Sequence, residues 1–179
     1  DIDARERTDN YRENTLSVSG DGSLLVLGYP YENKGIIRTY KNIDGEFVQF
    51  GSDIENPNPS TIVKTNLLFD SVSGKQIPRT FGTFLSLSRD GYTLASRDQL
   101  YVEVPGNDDY YMGGIQIYKA VGDNWIKSSL INEDINVGEL ELSENGSTIV
   151  YSTSSGVKIL KNVNNNWIQV GSDINIDTS

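Results

Sequence analysis

LSLSRDG, from Leu85 to Gly91, decides the fold once it is set beside LSVSGDG (Leu16 to Gly22) and LELSENG (Leu140 to Gly146). All three read apolar, polar, apolar, Ser, and then run into a turn that ends in Gly. Each copy leads to a strand opened by Gly: GIIRTYK from Gly35, GIQIYK from Gly114 and GVKILK from Gly156. An aromatic residue (Phe47, Trp125, Trp167) then enters a last strand. Each copy closes on Asp-Ile, in GSDI at Gly51, NEDI at Asn132 and GSDI at Gly171. A unit repeated in this way fixes the architecture before any single residue is weighed.

Within each copy the side chains alternate with period two between turns rich in Gly, Asn and Asp, the pattern of antiparallel sheet. The strands expected in the first copy are Thr15–Ser19, Ser23–Tyr29, Gly35–Lys41 and Glu46–Gly51. In the second they are Thr83–Ser88, Tyr92–Ser96 (with an extension over Gln99–Val104), Gly114–Ala120 and Asn124–Leu130. The third gives Gly138–Ser143, Ser147–Ser152, Gly156–Asn162 and Asn166–Gly171. The class is therefore all-β, three four-stranded antiparallel units without helix. Asp21-Gly22, Asp90-Gly91 and Asn145-Gly146 suit a type I′ hairpin, which needs positive φ at both central residues. Leu16 and Val18, Leu85 and Leu87, and Leu140 and Leu142 each share one face of a first strand, and that face is expected to be buried.

The domain reading is one repeat domain over residues 1–179. Its units lie at about 1–54, 81–135 and 136–174, with an insertion at 55–80 and a tail at 175–179. The insertion has the makings of an extra hairpin about Ser73-Gly74. A second excess, Arg97–Gly113, ends in VPGNDDYYMGG; long insertions at fixed points of a repeat map to loops on one face, often the binding face.

Composition narrows the function. The net charge of −10 repels phosphate backbones, and the 15 Lys and Arg form no polybasic cluster. No apolar run nears the roughly 20 residues that cross a bilayer. Neither a nucleic-acid partner nor membrane insertion is expected. The sequence begins at Asp1 without a targeting segment, as a processed product or a piece of something longer would. His and Cys are both absent. Ser-His-Asp and Cys-His catalysis are thereby excluded, as are zinc sites built on imidazole or thiolate. No catalytic residue is assigned, and the chain is read as a non-enzyme.

The densest polar and aromatic cluster is Asn107, Asp108 and Asp109 beside Tyr110 and Tyr111. Its oxygens suit a hard cation such as calcium, and its rings suit a sugar face, although the spacing is not that of an Asp-x-Asp-x-Asp-Gly calcium loop. No metal ligand and no cofactor is assigned. Asp1 and Asp3, Asp53 and Glu55, Asp134 and Asn136, and Asp173 and Asn175 recur in every unit, which reads as turn chemistry through side-chain to backbone hydrogen bonds. Phe47, Trp125 and Trp167 occupy one repeated slot and are read as packing between units. The sequon Asn145-Gly146-Ser147 is already accounted for by its turn.

Taken together, LSLSRDGYTLAS, GGIQIYK, DNWIK, NNWIQVGSDI and the opening Asp1-Ile2-Asp3 resemble the β-propeller blade repeats of secreted and surface proteins of marine microbes and algae. They are distantly similar to the repeats of integrin α-chain propellers. The third copy departs from the pattern with Asn145 for Asp and Leu160 for Tyr, the second by lacking Gly before its Asp-Ile. The resemblance implies propeller-type blades and an extracellular or cell-surface location. Three blades are fewer than the four to eight that close a propeller, and open edges invite pairing. The expected partners are other protein chains or further blades of the same polypeptide, in an oligomer or larger assembly. The expected function is a non-catalytic module for protein association or structural assembly. The alternative is a glycan-binding, calcium-assisted lectin-like propeller using Pro105–Gly113 and the insertion.

Overall fold

The computed structural model describes residues 15–30, 35–56, 67–69, 76–78, 81–102, 110–133 and 137–175. Among them there are strands and no helix. The first sheet runs β1 (Thr15–Val18), β2 (Leu24–Tyr29), β3 (Ile36–Ile43), β4 (Glu46–Gln49), with β5 (Ile54–Glu55) beside β4 on the edge of β3. A separate hairpin, β6 (Leu67–Phe69) with β7 (Gln76–Pro78), lies in the insertion where the sequence placed one. The second sheet is β8 (Leu85–Leu87), β9 (Thr93–Val102), β10 (Tyr110–Val121) and β11 (Asn124–Glu133). The third is β12 (Val137–Leu142), β13 (Thr148–Thr153), β14 (Gly156–Val163) and β15 (Asn166–Gln169), with β16 (Ile174–Asn175) on β14. Every pairing is antiparallel, and all but β3 with β5 and β14 with β16 join strands consecutive in sequence.

The turn chemistry differs from the expectation. Gly22, Gly91 and Gly146 have φ of 72°, 77° and 61°, but Asp21, Asp90 and Asn145 do not turn positive, so these are not type I′ turns. The reason is a side-chain lock. Asp21 Oδ1 accepts the Ser19 hydroxyl at 2.7 Å and the Ser23 N–H at 2.9 Å, while Ser19 Oγ accepts the Leu24 N–H at 2.9 Å. The same three bonds recur around Asp90 and around Asn145. Ser-x-Asp-Gly is thus a closed ring of hydrogen bonds with one left-handed residue, and Gly supplies that residue without strain. Positive φ at both central positions occurs instead at Asp44-Gly45 and Asn164-Asn165, which join the third and fourth strands of the outer sheets.

Two further expectations are corrected. β9 and β10 extend well past the repeat, pairing Val102 with Tyr110 and Tyr101 with Tyr111, so both tyrosines stand in a strand and not in a loop. Leu100, Tyr101 and Val102 opposite Met112, Tyr111 and Tyr110 make a run of strand-favouring residues. In the second sheet Ile131 faces Ile115 as Ile54 faces Ile37 and Ile174 faces Val157. The structural counterpart of the Asp-Ile isoleucine is therefore Ile131; the isoleucine of NEDI lies outside the described residues. A bulge between Ile117 and Tyr118 lets β11 run on unbroken where GSDI interrupts the outer strand of the other sheets.

The core lies between sheets rather than within one. One cluster joins Val26, Ile37 and Ile54 of the first sheet to Leu87, Leu94 and Tyr118 of the second, with Phe81 between them. The other joins Ala95, Ile115, Ile117 and Ile131 of the second to Leu140, Leu142, Ile149, Tyr151 and Leu160 of the third. Each buried side chain of this size contributes about 1.5–3 kcal/mol. The leucine face of the first strand is buried in the third sheet, and Leu87 is buried in the second. Leu16 and Val18 of the first sheet are exposed, against expectation, because no sheet packs on that side among the described residues.

Candidate functional site

The two internal junctions share a serine bond and a glycine seat, and differ in their other partners. The polar residue in the middle of each first strand reaches across to the next. Ser17 Oγ accepts the Leu87 N–H at 2.9 Å, and Ser86 Oγ accepts the Leu142 N–H at 2.9 Å. The hairpin tips also join, through Gly20 N–H to Arg89 O at 2.7 Å and Asp90 N–H to Glu144 O at 2.9 Å. The turn glycines lie flat on the preceding sheet, Gly91 over Leu24 and Gly146 over Thr93. Further out, Trp125 Nε1–H donates to Thr39 Oγ1 at 3.2 Å, and Trp167 Nε1–H donates to Ser129 Oγ at 2.9 Å. Gly51 abuts the backbone of Asp123 in the β10–β11 turn.

At the two ends these positions are empty-handed. Leu16 is 65% and Val18 51% exposed, against 3% for Leu87 and 6% for Leu142 at equivalent places. Phe47, in the slot of the two tryptophans, is exposed, so its packing role is not met in the first sheet. Gly22 and Gly171 have nothing within 4 Å of where a Cβ would stand. On the far side of the third sheet Val150, Val157 and Ile159 are half-covered, whereas Ala95, Ile115 and Ile117 of the second sheet are fully buried. Ile174 is 56% exposed, while its counterparts Ile54 and Ile131 are 8% and 5%.

The carboxylates of the repeat serve the fold. Arg38 Nε and Nη2 grip Asp53 at 2.9 and 3.0 Å, and Gln49 Nε2 joins at 3.0 Å. Asp173 receives Gln169 Nε2 at 2.6 Å. These bonds run between side chains, where the sequence predicts bonds from side chain to backbone, because Arg38 and the Gln two positions before each Gly-Ser-Asp stand within reach of the carboxylate; Asp1, Asp3, Asp134 and Asn136 lie outside the described residues. The Ser23 N–H, together with the Ser19 hydroxyl, holds the Asp21 carboxyl at about 2. Burial pushes the Tyr118 phenol well above its ordinary value. Among the described residues no three acidic side chains gather as a metal site would require.

No protein-family model matches the chain, and no curated protein does. Solved structures do match. A 6-phosphogluconolactonase-like protein of Bacteroides uniformis has 17% identity and a TM-score of 0.60, covering 90% of this chain and 40% of its own. One from Bacteroides fragilis has 14% identity and a TM-score of 0.59, with 91% and 39% covered. Both are of β-propeller type. The three sheets are propeller blades. The chain spans about two fifths of the length of these neighbours, and at such identities the likeness concerns fold alone.

In blade terms, Trp125 and Trp167 are junction residues, as expected, and Asp21, Gly22, Asp90, Gly91, Asn145 and Gly146 form the hairpin tips. Asn107, Asp108 and Asp109 lie outside the described residues, and Tyr110 and Tyr111 lie on the extended β10. Sequence reasoning missed Ser17, Ser86 and Glu141. The signal was present, a polar residue held between two apolar ones in all three first strands.

Proposed function

We propose that the chain is a non-catalytic β-propeller module, outside the cell or at its surface, that associates with other protein chains through its two open blade faces. The observation that carries this reading is the contrast between Leu16 and Val18, bare on one end, and Leu87 and Leu142, covered at the junctions. Apolar residues arranged to meet a neighbouring blade are costly to leave in water, at about 25 cal/mol per Å². The absence of His and Cys supports the non-catalytic part, and the resemblance to secreted blade repeats supports the location.

Light scattering coupled to size-exclusion chromatography tests the reading. A mass above the single-chain 19.8 kDa at micromolar concentration is expected; a compact monomer throughout that range counts against it. The glycan-binding alternative rests on Pro105–Gly113 and the insertion. A glycan array with and without calcium separates the two, since silence in both arms removes it.

A further inference from the structure

We propose that the two end faces are mates of each other: blade 1 of a second copy of this chain docks on blade 3 of the first, repeating the internal junctions. This deepens the association reading and rests on it. What blade 1 lacks on its outer side is what blades 1 and 2 give to their followers, and blade 3 presents the matching positions, with Glu141 in place of the serine. Gly91 is covered by Leu24 and Gly146 by Thr93; the next residue in that series is Thr148, and the glycine left uncovered is Gly22. Gly51 receives the β10–β11 turn at Asp123; the uncovered counterpart is Gly171, and the unused turn is the one at Gly45. Val150, Val157, Ile159 and Ile174 would then shield Leu16 and Val18 from water.

One contact is chemically distinctive. Ser17 and Ser86 each accept an N–H from the following blade, and Glu141 holds their position in blade 3. Its partner in the second copy is the Val18 N–H, the counterpart of Leu87 and Leu142. Ser86 Oγ already donates to Glu141 Oε2 at 3.1 Å, and the carboxylate keeps lone pairs for a second donor. A charged acceptor strengthens this bond relative to serine. A head-to-tail contact generates a ring if its rotation closes and a filament if it does not. Two of these three-blade stretches together fall inside the range of four to eight blades for closed propellers. A foreign partner would have to reproduce a whole blade in the same register, which the chain itself already does.

The test uses two variants with charges on opposite faces, Leu16→Arg with Val18→Arg, and Val157→Arg with Ile174→Arg, measured alone and mixed by light scattering. The wild type is expected at about twice the single-chain mass, and each variant alone at the single-chain mass. The equimolar mixture keeps one of the two junctions and forms a one-to-one pair, weaker than the wild type because the second junction no longer acts within a closed ring. Because the chain has no cysteine, Glu141→Cys and Val18→Cys provide a second readout. Under mild oxidation the mixture should cross-link and neither variant alone should. If the wild type pairs but one arginine variant stays paired by itself, or the single cysteine variants cross-link with themselves, the head-to-tail arrangement is overturned while association stands. A monomeric wild type removes association and this arrangement together.

Discussion

Val18 and Leu87 occupy the same place in two blades, follow the same Leu-Ser dipeptide and precede the same Ser, yet one is half in water and the other is sealed. Leu87 is covered by the blade before it, whereas Val18 has no such blade among the described residues. The alternation of a strand decides which side chains share a face. Whether that face is covered depends on what the topology sets against it. In this fold the core belongs to junctions, so a blade at either end carries half a core.

The largest effect that can test this contrast comes from emptying a junction. Phe81→Ala, in the cluster between blades 1 and 2, is expected to cost about 3–5 kcal/mol in chemical denaturation. Leu16→Ala on the open face should stay within about 0.5 kcal/mol at concentrations where the chain is single. Equal losses at both sites would break the comparison. The turn glycines sharpen it further. Gly146→Ala and Gly22→Ala share the strain of positive φ, but only the former presses a methyl onto Thr93, whose hydroxyl is held by Lys119 Nζ at 2.6 Å. We expect Gly146→Ala to be worse by about 1–3 kcal/mol, read as the difference in unfolding free energy.

Smaller effects follow. Trp167→Phe loses the bond to Ser129 and about 1 kcal/mol, whereas Phe47→Trp, at concentrations where the chain is single, finds no such partner and should be near neutral by thermal unfolding. The acid limb gives the smallest change. Asp21 has its folded pKa lowered to about 2 from 3.8. Its contribution to stability is therefore present above the unfolded value and lost as pH falls from there towards the folded one. Asp21→Asn keeps an acceptor, as Asn145 does in blade 3, so its melting temperature should fall less steeply across that window.

Much of the fold was legible because repetition multiplies weak signals. Three copies of Leu-x-Leu-Ser or its equivalent marked the first strands, and Phe47, Trp125 and Trp167 marked the outer ones. The turn type was not legible, since Asp-Gly suits both a type I′ turn and the Ser-locked loop that forms. Only the Ser two positions earlier distinguishes them, by bonding Asp and the chain beyond it. The place of Ile131 was hidden because a bulge shifts register without leaving a mark as clear as Gly. The open faces could not be read from alternation at all. Leu16 and Val18 look like core in sequence, and their exposure is a property of blade order.

Amide hydrogen exchange at Val18, followed as concentration rises, tests the central claim most directly. Leu87 and Leu142 donate to a serine of the preceding blade, and their amides should be protected at every concentration. Val18 should exchange freely when the chain is dilute and acquire protection in step with association. A Val18 amide that stays unprotected while the mass doubles would contradict the account.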